Sequence, residues 1–502
     1  MPQFSHTSEI PVSAGTVWRW LTGQDLEQRQ RAGDVAERLR AGAVGERLGA
    51  GAVGERLGAG AVGERLRAPW LSVREGRDVT APNLGGRKVT SIREAAESYR
   101  IESLCGPVGW RRFFSFAREP TPSNSWLHVM TLSPVGEDAC RVEDRVHWRP
   151  FLPLPWVGDG IPRRLERLFR HQHRRMRNDL IRHARFAGRG PLTIAVTGAS
   201  GLVGTRLRAF LSSGGHRVVR LVRRSPARLD PETRQSEVRW NPETGEIDAA
   251  ALEGMDAVIH LSGENLAAGR WNPARKAAIL DSRVKSTGLL SRALAGLERK
   301  PRVLICASAV GWYGDTGTHP VDEEHPAGRG FLAEVCRAWE AAADPAREAG
   351  IRVVHLRAGM VLAAEGGAMG KLIPPFTLGL GGRLGSGRQY MSWIALEDLL
   401  GIINTALFED GLSGPVNAVA PEAPTNREFT RVLGRVLRRP TVLPLFAPMV
   451  RLMFGEMGQS LLLEGQRVAP ARLQEMEFPY LFPTLEDALR DELGLDGDPG
   501  AG

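Results

Sequence analysis

Three glycines, Gly198, Gly201 and Gly204, stand between the apolar run Thr193–Thr197 and a stretch in which Leu207, Phe210 and Leu211 recur at helical spacing. A strand that turns on glycine and restarts as a helix leaves several amide N–H groups without partners, at the positive end of the helix dipole. The first two glycines allow a tight turn and a close approach of backbone to a ligand, and the third lets helix and strand pack closely. Such a turn suits one task, clasping the diphosphate of a dinucleotide. The alternative is an ordinary glycine-rich turn, which the strand–turn–helix context disfavours.

The apolar run HRVVRLV, which would be the second strand, ends in Arg223 and Arg224. An acidic residue there would hold the two ribose hydroxyls of NAD, whereas an arginine pairs with a 2′-phosphate. The arginines therefore predict NADP(H) over NAD(H). The alternative is that both are simply solvated.

Elements able to hold this turn alternate from Leu192 onward: LTIAV, HRVVRLV, AVIHLSG, RVLICASA and RVVHLRAG are apolar strands separated by helical stretches. That alternation predicts a doubly wound parallel α/β sheet. Gly188, Gly190 and Pro191 mark its start. Before them the pattern differs. Phe4–Leu21 reads as a strand followed by a helix bearing Val17, Trp18 and Leu21, and residues 86–150 alternate as strands, most clearly Cys140, Val142, Val146 and Trp148. A long helix follows, with Leu165, Phe169, Met176 and Leu180 on one face. An α+β domain over residues 1–187, a curved sheet gripping a helix, is expected. A nine-residue unit recurs through 33–68 (GAVGERLGA and variants); it is too short for a solenoid repeat and too rich in glycine for a stable helix, so it reads as an insertion.

With 502 residues, two or three domains are expected, and 42% hydrophobic content is ordinary for a globular protein. The net charge of +9 raises the question of nucleic acid. Almost all of the excess lies in residues 161–190, ten arginines against Glu166 and Asp179, where it reads as the solvated outer face of the long helix. No nucleic-acid partner is expected. His171, His173 and His183 in this segment read as surface residues without ligand spacing, so no metal is expected. The four cysteines are scattered with no C-x-x-C pair, and no signal peptide or membrane span is recognisable; a cytoplasmic protein is expected.

From Thr193 to about Leu493 the chain resembles the extended short-chain dehydrogenase/reductases, in particular the atypical NAD(P)-binding, sugar-nucleotide-epimerase-like subgroup. The resemblance rests on VTGASGLVG, AVIHLSGENLAAGRW, SRVKST, ASAVGWYGD, LRAGMVL, PPFTLGLGGRLGSGRQYMSWIALEDL and FGEMGQSLLLEGQRVAPARL. It implies a Rossmann-type domain over 191–440 and a C-terminal substrate-side region over 441–495. It also implies pyrophosphate contacts from Gly198, Ser200, Gly201, Leu202, Val203 and Gly204, with Leu261, Ser262 and Gly263 along the ribose and nicotinamide. Ser308 matches the residue that bonds substrate, and Arg283 stands where active relatives often have asparagine. Residues 1–187 resemble the START-like polyketide cyclase/dehydratase superfamily through SEIPVSAGTVWRWL, VEDRVHWRPFLP and FRHQHRRMRNDL, which implies a cavity for an apolar ligand.

In the larger dehydrogenase family a tyrosine is the general acid/base, and a lysine four residues later lowers its pKa. Here Tyr99, Tyr313, Tyr390 and Tyr480 are all the tyrosines, and none is followed at that spacing by lysine; the helix expected to carry the pair begins at Phe331. Tyr313 is the best substitute proton donor, its alternative being a packing residue. Tyr390 reads as part of a substrate-side loop, Glu323 and Glu324 as exposed loop carboxylates, and Cys336 as a small core residue. Two functions follow. One is an NADP(H)-dependent oxidoreductase or epimerase acting on a small substrate through Ser308 and Tyr313. The other is a non-catalytic NADP(H) sensor coupled to the apolar-ligand domain.

Overall fold

The computed structural model describes residues 3–13, 16–17, 79–81, 87–95, 98–105, 123–135, 138–150, 160–223 and 237–495. The repeats at 33–68, Trp18, Leu21 and Arg224 lie outside these residues. The chain divides into two compact units: Met1–Ala187 with Ala209–His216 and Asp230–Arg234, and the remainder.

In the first unit, alternation of apolar and polar residues builds an antiparallel sheet. Its strands are β1 (Gln3–Ile10), β2 (Val79–Ala81), β3 (Arg87–Ala95), β4 (Ser98–Cys105), β5 (Ser123–Pro134) and β6 (Cys140–Pro150), in the order β1-β6-β5-β4-β3-β2. Helix α1 (Gly160–Ala184) buries Leu165, Phe169, Met176 and Leu180, the face expected from their spacing. Phe169 stacks on Phe4 of β1 at 5.9 Å.

The histidine reading needs correction at His173, which is 2% exposed and not a surface residue. It follows Phe169 by four positions and so falls on the same buried stripe. On β6, Asp144 continues the inward alternation of Cys140, Val142 and Val146 and is fully buried. The two polar groups meet: His173 Nε2 pairs with Asp144 Oδ2. Pairing is what lets each sit in an apolar interior.

The second unit is the expected α/β sheet. Strands β7 (Thr193–Thr197), β8 (Arg217–Val222), β9 (Glu237–Asn241), β10 (Glu246–Ile247), β11 (Ala257–His260), β12 (Val303–Ala309), β14 (Arg352–Ala358) and β17 (Gly414–Ala418) lie in the order β10-β9-β8-β7-β11-β12-β14-β17. Every pairing is parallel except β9–β10. Four short strands pair outside this sheet: β13 (Pro320–Val321) with β18 (Arg467–Val468), and β15 (Met360–Leu362) with β16 (Trp393–Ala395). The helices that matter below are α2 (Leu202–Ser213), α3 (Pro273–Ala295), α4 (Phe331–Ala341), α5 (Gly367–Thr377) and α6 (Leu396–Phe408). Strands β7 and β11 are buried along almost their whole length, as parallel strands covered on both faces must be.

Residues 441–495 fall within this same unit. Asp398, fully buried on α6, accepts from the amides of Leu481 (2.8 Å) and Phe482 (3.0 Å) and so ties the C-terminal segment down. The chain passes from β7 through α2 to β8 on one side, and later strands add on the other side beginning with β11. The order reverses between β7 and β11, and in sheets of this kind the crevice beyond that reversal is where ligands bind.

Candidate functional site

At the carboxyl end of β7 the chain turns at Gly198 with φ of +64°, a conformation that favours glycine. A Cβ on Gly198 would lie 2.8 Å from the carbonyl carbon and oxygen of Leu261, and one on Gly204 would lie 2.2 Å from the Gly198 oxygen. The glycines are therefore required by backbone meeting backbone. Ser200 and Gly201 are exposed, and α2 opens at Leu202, where the first amides of a helix lack partners within it. Leu261, Ser262 and Gly263 leave β11 beside Gly198. Of the expected contacts, then, Gly198–Gly204 and Leu261–Gly263 are brought together.

Beneath this junction lies a polar buttress. Thr197 Oγ1 accepts from the Leu261 amide at 3.1 Å and sits 2.7 Å from His260 Nδ1. His260 Nε2 lies 3.0 Å from Thr287 Oγ1, which also accepts from Trp339 Nε1. The tautomer with the proton on Nε2 satisfies all of these contacts. Complete burial pushes the pKa of His260 down to about 3.

Arg223 stands just beyond β8, largely exposed, with Glu243 3.8 Å away. An exposed guanidinium at the end of this strand fits a 2′-phosphate, and the glycine cradle, which any Cβ would fill, fits a diphosphate.

On the opposite side of Gly263, Arg283 of α3 is buried, and burial lowers its pKa. It donates to the carbonyls of Ile279 and Glu264, both at 3.0 Å, and packs over the Trp339 ring. Cys336 is buried beside it, the thiol pushed up to about 12 by burial, as suits an inert core residue. Phe331 packs edge-on against Trp271 at 5.0 Å, and Val335, four residues on, joins a cluster with Trp271, Ile279 and Met457. The start of α4 is thus apolar packing.

Ser308 and Tyr313 are brought into one buried hydrogen-bond network. Ser308 Oγ donates to Glu340 Oε1 at 2.7 Å. Arg357 grips Glu340 with two bonds of 3.0 Å and donates from Nη1 to the Tyr313 hydroxyl at 3.1 Å. Tyr313 gives its proton to Asn417 Oδ1 at 2.7 Å, and Arg357 also lies over the Trp312 ring. Both candidates are 5% exposed. The pKa of Tyr313 is raised, burial outweighing the opposing pull of Arg357. Tyr313 thus already donates to Asn417, and burial makes its proton harder to remove.

Glu323 also departs from expectation. It is 4% exposed, not an exposed loop carboxylate, because it accepts from the amides of Asn417 (2.9 Å) and Ala471 (3.1 Å) and so joins β17 to the C-terminal segment. Its pKa is raised, chiefly by burial. Glu324 is exposed as expected and pairs with Arg472. Tyr390 lies under Arg467, away from this network. Sequence reasoning missed Glu340, Arg357 and Asn417. The available signal was a charged or amide residue inside an otherwise apolar strand, Arg357 in RVVHLRAG and Asn417 in GPVNAVA, since buried polar groups need partners.

Among the described residues, no cluster of histidine, cysteine and acidic side chains could hold a metal ion, and no helix is long and apolar enough to cross a membrane.

The profile of the NAD dependent epimerase/dehydratase family matches residues 194–417, and that of a domain of unknown function (DUF1731) matches 445–492. Among similar proteins, the epimerase family protein Mb2239 of Mycobacterium bovis is 46% identical over 296 residues, 59% of this chain and 96% of the relative. The human epimerase family protein SDR39U1 is 36% identical over 303 residues, 60% of this chain and 99% of the relative. A crystal structure of the human protein with NADPH aligns with a TM-score of 0.54 and 34% identity over 60% of this chain and 99% of that one. A nucleoside-diphosphate sugar epimerase from Corynebacterium glutamicum aligns with a TM-score of 0.66 and 27% identity over 98% of this chain and 90% of that one. The glycine turn, the parallel sheet behind it and the near-complete coverage of such relatives agree: this chain belongs to the epimerase family.

Proposed function

We propose that the protein is an NADP(H)-dependent oxidoreductase or epimerase acting on a small substrate. The observation that carries this reading is the meeting of Gly198–Gly204 with Leu261–Gly263 at the point where strand order reverses. Gly198, Ser200, Gly201, Leu202, Val203 and Gly204 hold the diphosphate, Arg223 and Arg224 the 2′-phosphate, and Leu261, Ser262 and Gly263 line the ribose and nicotinamide. The NADPH found with the human relative supports this choice of cofactor. Bound there, the cofactor supplies or accepts a hydride.

Ser308 is the candidate whose surroundings suit proton transfer. Its hydroxyl proton points to Glu340, so its lone pairs are left for a substrate hydroxyl. A proton leaving substrate passes to Ser308 Oγ as the serine's own proton moves to Glu340. Tyr313 acts through Arg357, holding that guanidinium against Glu340. The substrate lies toward residues 441–495, and residues 1–187 form a START-like helix-grip domain that carries an apolar ligand for the Rossmann-type domain at 191–440. The antiparallel sheet with its long final helix supports this assignment.

The apolar packing of Phe331 and Val335 favours a second reading, a protein that binds NADP(H) without turning it over. Fluorescence titration with NADPH and NADH tests the shared part: NADPH should bind more tightly, and equal or tighter NADH binding would reject the 2′-phosphate assignment. Mass spectrometry of co-purifying small molecules supplies candidate substrates for the rest. Ser308→Ala should abolish turnover and spare NADPH affinity. Stable bound NADPH with every carbonyl and sugar-nucleotide candidate would instead favour the second reading.

A further inference from the structure

The two oxidation states of a nicotinamide cofactor share their phosphates and differ at the ring, cationic when oxidised and neutral when reduced. We propose that Arg283 makes this site prefer the reduced form, by fixing a positive charge that no ion pair satisfies beneath the ledge that carries the nicotinamide. The inference rests on the NADP(H) reading above and extends it to the redox state that is held.

The charge is close to that ledge. The Arg283 Cζ lies 3.3 Å from where a Cβ on Gly263 would stand, so the guanidinium fills the space directly against the backbone after β11. It is 7% exposed, so water screens it little. No carboxylate is bonded to it, although the Glu264 carboxylate lies close enough to attract it and Arg275 close enough to repel it. Its partners are the neutral carbonyls of Ile279 and Glu264, and among the described residues no carboxylate forms an ion pair with it. The Glu264 carboxylate is taken by Arg275 at 2.9 Å. The Glu340 carboxylate is gripped by Arg357. Cys336 remains a neutral thiol, and Lys276 lies over Phe331 and pairs with Glu456. Arginine does not shed its proton in a protein, so the charge cannot be titrated away.

A buried cation without a counter-ion is costly, and two carbonyl bonds do not require arginine. The charge has a consequence that a purely packing residue would not have. It repels a cationic ring and is indifferent to a neutral one. For unit charges about 10 Å apart at an effective dielectric near 20, the penalty corresponds to roughly tenfold in affinity. Each tenfold preference for the reduced form raises the midpoint potential of the bound two-electron couple by about 30 mV.

The test is the ratio of dissociation constants for NADP+ and NADPH, measured on the full chain at fixed ionic strength. The wild type should bind NADPH at least tenfold more tightly than NADP+. Arg283→Lys, which keeps the charge, should hold the ratio within about threefold. Arg283→Gln and Arg283→Met should bring it close to one while both forms still bind, a change that lost packing alone would not produce. Equal affinities in the wild type, or an unchanged ratio in Arg283→Gln, would overturn the inference, and the wild-type measurement decides even if the neutral variants fold poorly. Failure to bind either form would instead sink the cofactor reading itself.

Discussion

The glycine turn follows β7 and the Ser308–Tyr313 network is built on β12, with β11 between them, and the two are made of different materials. At Gly198–Gly204 the working parts are backbone amides, and what matters is that nothing else occupies the space. In the network the working parts are side chains from four separated segments, held by charge and hydrogen bonding in a buried interior. The first kind of site fails when an atom is added, the second when one is removed.

Glu340→Ala should therefore have the largest effect. It leaves the Arg357 guanidinium buried without its carboxylate and Ser308 without its acceptor. Removing one partner of a buried ion pair costs about 3–5 kcal/mol. Urea denaturation should show a loss of that size, and a loss below about 1 kcal/mol would mean that water reaches Arg357 and that the network is not the closed unit described here.

Gly204→Ala probes the other region with a single methyl group. The added carbon would lie 2.2 Å from the Gly198 oxygen, so the turn must open. NADPH affinity should fall at least tenfold, about 1.4 kcal/mol. Gly188→Ala, where a Cβ meets nothing within 4 Å, should leave affinity unchanged. Similar affinities in both variants would show that the turn has slack and that the glycine spacing does not shape the binding surface.

The same difference explains what could be read in advance. The turn is contiguous in sequence: strand, three glycines and helix occupy Thr193–Ser213, and each glycine's neighbours are a few residues away or on the adjacent strand. The parallel sheet was legible for a similar reason, since each buried strand declares itself as a short apolar run. The network was not legible, because Tyr313 and Asn417 are 104 positions apart and nothing local in GWYGD indicates where its hydroxyl proton goes. Glu323 misled in the same way: its type and its loop suggest solvent, and only the arrival of β17 and Ala471 explains its burial. In the first unit the stripe Leu165, Phe169, Met176, Leu180 was plain, but His173 on that stripe was hidden by its chemical type until Asp144 appeared opposite.

His260 qualifies the division, for it is a side-chain device underneath a backbone site. Its two ring nitrogens span Thr197 and Thr287, and Thr197 holds the Leu261 amide that closes over Gly198. Burial holds its folded pKa at about 3 against an ordinary 6.5. The unfolded chain therefore takes up the proton first as pH falls. The stabilising contribution is complete above about pH 6.5 and is lost progressively toward pH 3, with a slope of at most about 1.4 kcal/mol per pH unit. The pH-dependent loss is nil at neutral pH and grows only on acidification. Urea midpoints followed from pH 7 to 4 should fall more steeply in the wild type than in His260→Gln, where glutamine retains a donor and an acceptor but does not titrate. Parallel slopes would mean that His260 already exchanges its proton with solvent in the folded state, and that the junction of β7 and β11 is looser than its hydrogen bonds imply.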